Sequence, residues 1–437
     1  MTIKYPAWVC VLTVLLASCA PQAIVPSPSP TPAPSASAAA SPGLPAALDA
    51  QLGLAHRWYT VPDPLIREDP VVIATFNGDP TAGSPRLRLS PGGAEFPFTP
   101  SSGNVWHAPI ALAGLAPGEY SAQLVERVRN AGDIALATVT FTLSQPEYVV
   151  WTLDFEGDAS GDAELANTAA IADGLRIPMS VLWNPRAWTT TQVSAERQDA
   201  MLAWTKGRMS KGDEVGLHLH MWTDYVRAAG LVARTVPSWA GRGDGYDVPM
   251  TAYPENEQQA LIGYGVKLML QHGLPVPTSF RAGGDIGDAA TLRAVTASGF
   301  NADCTAVAKD YPPIGRIPYP WTLPSGAQPY RPSSTDANAT GDLPLLEAPT
   351  IGGNTYAFTV QSIQPQIRAN LALLASAGGI AAERRAITIV SHPGTIVPAE
   401  RAAIEALLGA FGPLRYDTDA GPLRFVTLAQ LAKAYGR

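Results

Sequence analysis

From Pro146 onward the chain alternates short apolar runs with longer stretches of helical period, and this rhythm constrains its fold more than any other feature. Strand-like runs fall near 148–154, 177–182, 214–219, 278–282, 300–303, 344–348 and 386–391. Helical patterns lie between and after them, near 162–175, 194–211, 255–272, 288–298, 362–377, 398–410 and 427–435. Parallel neighbours need a crossover connection, and a helix that makes the crossover also covers one face of the sheet. Seven strands in this rhythm predict an α/β fold whose parallel sheet is closed or nearly closed into a barrel. In such barrels reactive groups gather at the carboxyl ends of the strands.

The preceding segment has a different texture. Between Leu54 and Gln145, short strand-like runs are separated by turn signals: Val71 to Phe76 before Asn77-Gly78, Arg86 to Leu89 before Pro91-Gly92-Gly93, Tyr120 to Val128, and Ala137 to Leu143. In the last, Val139, Phe141 and Leu143 alternate with threonines, the period of a half-buried antiparallel strand. A small all-β sandwich of immunoglobulin or fibronectin size is expected over 49–146, before a barrel over 147–437. The turn from Leu115 to Tyr120 resembles those of fibronectin-like modules. No titratable cluster falls in this part, and His56 and His107 read as ordinary surface or rim residues.

At the amino end, Lys4 precedes an apolar run from Trp8 to Leu16, which leads into Leu16-Ala17-Ser18-Cys19. The run is too short for a retained spanning helix and reads as a secretory signal over 1–18. Its last four residues resemble the lipobox of bacterial lipoproteins, which implies cleavage before Cys19, lipidation of that thiol, and a place on a bacterial envelope membrane facing the periplasm or exterior. Residues 19–48 are dominated by Pro, Ser and Ala, a composition that cannot bury a core and serves as a spacer. Apart from Cys10 and Cys19 the only cysteine is Cys304, so no disulfide is expected within the mature chain. With 30 basic against 37 acidic residues there is no basic field for nucleic acid.

Four strand ends in the barrel segment carry reactive side chains. Val149-Val150-Trp151-Thr152-Leu153 runs into Asp154-Phe155-Glu156-Gly157-Asp158, and residues two apart on a strand face the same way. Asp154 and Glu156 so placed repel each other unless a cation or a shared proton compensates. Val215 to Leu219 carries His218, with His220 two residues on. Two imidazoles and a carboxylate make a three-ligand set typical of catalytic zinc, with a position left open for water. Arg281 stands just before Gly283-Gly284, where its guanidinium could clamp a carboxylate bidentately. His392 ends the apolar run Ile387 to Ser391, where it can serve as a general acid or base. Taken singly, Arg281 and His392 are read equally well as a structural ion pair and a strand-end cap.

In this order the four segments resemble the polysaccharide deacetylase (NodB-homology) family of carbohydrate esterases. The resemblance covers about 147–437 and implies a distorted seven-stranded (β/α) barrel. Asp154 and Glu156 match the family's base aspartate and metal-binding acid, Gly212 to His218 its second motif, Arg281 its arginine motif, and His392 its late strand-end histidine. The chain departs from the family pattern at two positions. The metal acid is a glutamate two residues after Asp154, not an aspartate directly after it. Trp222 occupies the usual place of the second metal histidine, so His220 would substitute, with Asp158 as a reserve ligand. The resemblance implies hydrolysis of an acetamide or acetyl ester on polysaccharide at a divalent metal, zinc foremost, held by Glu156, His218 and His220. Asp154 would be the base held by Arg281, and His392 the acid.

A polar insertion over 223–253 follows the histidine strand. Trp183, Trp188, Trp222, Trp239, Tyr246 and Trp321 are expected near one rim, where rings can stack on sugar faces or belong to the core. His272 is expected at a helix carboxyl end. Two other readings compete with the esterase: a catalytically silent, glycan-binding barrel, and a glycoside hydrolase using Asp154 and Glu156. The last is the weakest, because residues two apart on a strand lie about 7 Å apart on one face, whereas glycosidase carboxylates flank the bond from different elements.

Overall fold

The computed structural model describes residues 49–78, 84–128 and 132–436, so the signal segment, the spacer and Cys19 lie outside it. The amino-terminal strands are β1 (Ala50–Gly53), β2 (Trp58–Thr60), β3 (Val71–Phe76), β4 (Arg86–Ser90), β5 (Glu95–Pro97), β6 (Thr99–Ser102), β7 (Val105–Pro109), β8 (Gly118–Val128) and β9 (Gly132–Ser144). They form a sheet of order β1-β3-β7-β6 and another of order β2-β9-β8-β4-β5. The two share one core, to which Val72, Ala74 and Phe76 contribute from one sheet and Leu87, Leu124 and Phe141 from the other. In β9, Phe141 and Leu143 are buried while Thr140 is exposed, as their alternation requires. The Tyr120 hydroxyl donates to the Ala116 carbonyl (2.8 Å), tying the turn back onto β8. One pairing breaks the antiparallel pattern: β2 runs parallel to β9.

The second half begins with β10 (Glu147–Asp154), followed by α1 (Asp162–Leu175), β11 (Ser180–Trp183), α2 (Ala195–Met209), β12 (Glu214–Leu219), α3 (Thr223–Ala228) and α4 (Glu255–Gln271). Then come β13 (Ser279–Ala282), α5 (Ala289–Ala297), β14 (Ala302–Asp303), β15 (Leu346–Glu347), α6 (Val360–Leu373), β16 (Arg385–Ser391), α7 (Pro398–Gly409), β17 (Leu423–Phe425) and α8 (Leu428–Ala434). Seven strands pair in the order β15-β14-β13-β12-β11-β10-β16, every pair parallel, which is the distorted seven-stranded (β/α) barrel expected. The ring is not closed by strands. Between β15 and β16 the irregular segment 352–355 completes it, with Gly352 and Thr355 donating their N–H groups to Thr388 and Val390.

In the barrel half, β17 and α3 were not foreseen. Short β17 pairs with the first three residues of β10, and α3 opens the insertion after β12. The first has a clear role. Beyond it, Leu428, Leu431 and Ala432 of α8 pack against Tyr148 and Val150 of β10 and Ala302 of β14. Half-buried Glu214 at the start of β12 accepts from Ser180 and Ser279 hydroxyls and from the Ala429 N–H. The amino ends of the strands are thus plugged by α8, and the carboxyl ends remain available for chemistry.

The two halves meet along a seam. Asp419, at φ 55°, accepts from the Arg57 N–H (2.8 and 2.9 Å) and the Trp58 N–H (2.9 Å). The Tyr148 hydroxyl donates to Asp63, and the Gln145 N–H to the Ala381 carbonyl. Asp419→Ala leaves two backbone donors without their acceptor at a half-exposed site, so a loss of about 1 kcal/mol is expected. Faster proteolysis near residues 54–70 at unchanged site chemistry would report it. Among the described residues, no helix is long and apolar enough to cross a membrane.

Candidate active site

The register of the barrel brings four separate stretches to one mouth. Thr152 to Asp154 of β10 lie beside β11, and Leu153 lies beside Ser391, one residue before His392. On β12, His218 pairs with Arg281 of β13. Residues far apart in sequence therefore meet because parallel strands end at a common level.

Arg281 is fully buried, so its donors need partners. Nη1 donates to Asp154 Oδ1 (2.9 Å) and Thr152 Oγ1 (2.8 Å), Nε to the Cys304 carbonyl (2.9 Å), and Nη2 to Thr350 Oγ1 (2.8 Å). Burial disfavours the charged guanidinium, but the adjoining Asp154 carboxylate more than compensates and raises its pKa. The clamp on Asp154 is single, through one oxygen, and not the bidentate one suggested by the sequence. The other N–H groups are taken up by the walls of the barrel.

The two histidines are oriented by backbone. His218 Nδ1–H donates to the Arg281 carbonyl (3.0 Å) and His220 Nδ1–H to the Tyr246 carbonyl (2.8 Å). In that tautomer His218 Nε2 carries a lone pair toward the mouth. His218 Nε2 is buried without a hydrogen-bond partner, and burial pulls the ring's pKa down to about 4, which keeps it neutral. His220 Nε2 lies 2.7 Å from Glu156 Oε2. Burial opposes a charge on His220, but Glu156 outweighs it and raises the pKa.

Glu156 sits at the centre. Its Oε2 accepts from the Tyr246 hydroxyl (3.0 Å) and lies 3.9 Å from His218 Nε2, while His392 Nε2 is 3.2 Å from Oε1. Burial alone would raise its pKa. The surrounding rings, His220 foremost, hold the carboxyl well below the usual carboxylate range. The donor atoms of Glu156, His218 and His220 lie within 4.8 Å of one another, the spacing of a metal-binding trio. The buried lone pair on His218, with both rings anchored through Nδ1, fits a divalent cation. Neither His392 nor the reserve ligand Asp158 belongs to this trio.

Two contributors were not legible beforehand as site residues. Tyr246 was singled out only as a ring. In the structure it touches both ends of the trio, stacking on His220 with centroids 4.2 Å apart while its hydroxyl holds Glu156. Asp285, in the left-handed region at φ 57°, brings Oδ1 to 3.9 Å from Arg281 Nε, and burial raises its pKa to about 7. The only trace of it in the sequence is that it directly follows the glycine pair.

Gly283 explains part of that pair. A Cβ there would lie 2.4 Å from His220 Nδ1, so the bare backbone is what lets the ring reach its place. Gly283→Ala is expected to push His220 aside and break its 2.8 Å bond to the Tyr246 carbonyl, which a shift of the His220 ring resonances would report.

The aromatic residues, left open between sugar-stacking and core, fall mostly to the core. Trp183 is fully buried beside Phe155 and Trp188 and belongs to the core. Trp188 stacks on His272 at 4.0 Å, which removes one of its faces. The His272 ring is thus governed by packing, and burial followed by Lys206 lowers its pKa, against the rise that a helix carboxyl end would favour. Trp321 is buried with Nε1 on the Asp285 carbonyl, and Trp239 is buried close to Gly284. Trp222 is buried within the site wall. Beside His392 the exposed ring is Tyr356, 6.2 Å away and edge-on.

No family model and no curated protein matches the chain. Among solved structures it is similar to a Mycobacterium smegmatis protein described as a polysaccharide deacetylase, with a TM-score of 0.42 and 14% identity over 66% of this chain and 89% of that one. It is also similar to a chitin deacetylase from Colletotrichum lindemuthianum (TM-score 0.36, 10% identity, 65% and 87% covered). A third is a family 4 carbohydrate esterase from Streptomyces lividans in complex with acetate (0.34, 10%, 64% and 92%).

Proposed function

We propose that this chain is a metal-dependent hydrolase that removes acetyl groups from N-acetylated or O-acetylated polysaccharide. One observation carries the reading: a buried carboxylate held by a buried arginine opens onto the same mouth as a Glu, His, His trio in which one ring nitrogen has no protein partner. Structural ion pairs alone do not call for that unpartnered nitrogen.

Glu156, His218 and His220 would hold the cation, with zinc favoured by two imidazoles and a carboxylate. Bound there, it would polarise the acetyl carbonyl and bring the pKa of water down toward about 7. Asp154 takes the proton of the attacking water. Only its Oδ1 is engaged by Arg281 Nη1, and the guanidinium holds the carboxylate in orientation. His392 delivers a proton to the departing nitrogen, without which an amide would have to leave as a very basic anion. Its position at the other oxygen of Glu156, apart from the trio, suits a group that moves protons and does not ligate.

Metal content of the purified chain and acetate release from chitin oligomers and acetylated envelope polymers test the reading together. Oligosaccharide binding with neither metal nor acetate release would overturn it in favour of a silent glycan-binding barrel. The pH dependence is a second check. Protons compete with zinc for His220, whose pKa is raised above 6.5, and for His218, whose pKa is about 4. Zinc affinity should weaken as the pH falls through the raised His220 value and weaken further toward pH 4. An affinity that is flat between pH 8 and 5 would exclude this ligand pair.

The sequence Leu16-Ala17-Ser18-Cys19 supports anchoring through a lipidated Cys19, which would hold the barrel at an envelope membrane. Cys19→Ala should release the protein or leave it unprocessed. Finding the wild-type protein wholly soluble would sink that part of the proposal.

A further inference from the structure

Glu156 lies two residues beyond β10, and the last β10–β11 backbone contact is the Phe155 N–H to the Leu182 carbonyl. Its peptide is therefore outside the ladder that fixes Asp154. Two side chains hold that backbone instead. Trp222 Nε1 donates to the Glu156 carbonyl (3.0 Å), and Arg186 Nη1 donates to the next carbonyl, that of Gly157 (2.9 Å).

The two donors brace each other. Arg186 Cζ sits 3.6 Å from the centroid of the Trp222 ring, a stacked cation–π contact, and both side chains are buried. The rest of the guanidinium is anchored elsewhere: Nε reaches both Asp224 oxygens (3.0 and 3.1 Å), and Nη2 reaches Asp224 Oδ2 and Gln192 Oε1 (each 2.8 Å). Gly157, at φ 80°, permits the approach, since a Cβ there would meet Arg186 Cβ at 2.9 Å. Such an investment of buried polar groups around two consecutive carbonyls is more than a simple loop needs. It occurs where the chain must present a carboxylate that the strand itself does not hold.

We infer that Arg186 and Trp222 form a clamp that positions Glu156 for the cation, a role resting on the metal-site reading above. They are positioning residues, acting through the backbone of Glu156 and touching neither substrate nor metal. The clamp also gives Trp222 a use at the position where the chain departs from a histidine.

The test is zinc affinity of the full chain, measured by competition with a chromophoric chelator, alongside melting temperature. Trp222→Phe keeps an aromatic ring near the guanidinium while removing the N–H and part of the indole, and it should weaken zinc binding about tenfold. Arg186→Lys keeps the charge but loses the planar fork, and it should weaken binding by about 10- to 100-fold. If Arg186→Lys fails to fold, Trp222→Phe decides alone. A clamp acting through Glu156 also predicts non-additivity: in a Glu156→Ala background, Trp222→Phe should leave the residual affinity unchanged. Lower melting temperatures at wild-type zinc affinity, or a full tenfold loss on top of Glu156→Ala, would overturn the inference. A wild-type chain with no zinc site at all would instead remove the metal reading, and the clamp with it.

Discussion

Asp154→Asn is expected to lower kcat by about 10²- to 10⁴-fold while zinc stays bound. The amide keeps the volume and can still meet Arg281, but it has no charge with which to accept a proton. His220→Ala should behave differently and lose metal and turnover together, because a three-ligand site seldom survives removal of one. The contrast separates base from ligand. Zinc content by elemental analysis and acetate release on the same preparations check it. Asp154→Asn with wild-type turnover would transfer the base role to another group, for which Asp285, with a pKa near 7 and close to Arg281, is the nearest candidate.

Arg281→Met should destabilise the fold by about 3–5 kcal/mol, a far larger effect than any surface charge would give. The ion pair with Asp154 is buried on both sides, so removing the guanidinium leaves a carboxylate alone in the barrel. The Cys304 carbonyl, Thr350 and Thr152 each lose the donor that Arg281 gives them. Denaturant unfolding of the metal-free chain measures this independently of catalysis. A double variant, Arg281→Met with Asp154→Leu, should recover much of the stability and none of the activity, since the cost lies in the unpaired charge. Equal stability of Arg281→Met and wild type would mean that Asp154 is compensated in some other way.

The parts of the site carried by strands were legible because a strand's period is local. Asp154 and Glu156 two apart, His218 and His220 two apart, an arginine before two glycines, and a histidine after an apolar run each mark a strand end. The bidentate reading of Arg281 failed because donor allocation depends on what else is buried nearby. Cys304 and Thr350 come from stretches with no chemical signal of their own. The aromatic residues were left open between rim and core, because position along the chain does not say which way a ring turns; Trp183 turned inward and Trp222 became part of the wall.

Sequence alone determined the strand–helix rhythm, hence the parallel barrel, the end of the barrel where reactive side chains gather, and four of the stretches that bring them there. These follow from local periodicity and from the rule that parallel strands end together. Only the tertiary structure decided that α8 plugs the opposite end and that Tyr246 reaches across from an insertion to hold Glu156. It also decided that Arg186 and Trp222, 36 residues apart in the chain, stack beneath the same glutamate. Such contacts depend on where loops land once the core has packed. Loops have no repeating pattern to read, so their side chains gain a role only when the strands beneath them are in register.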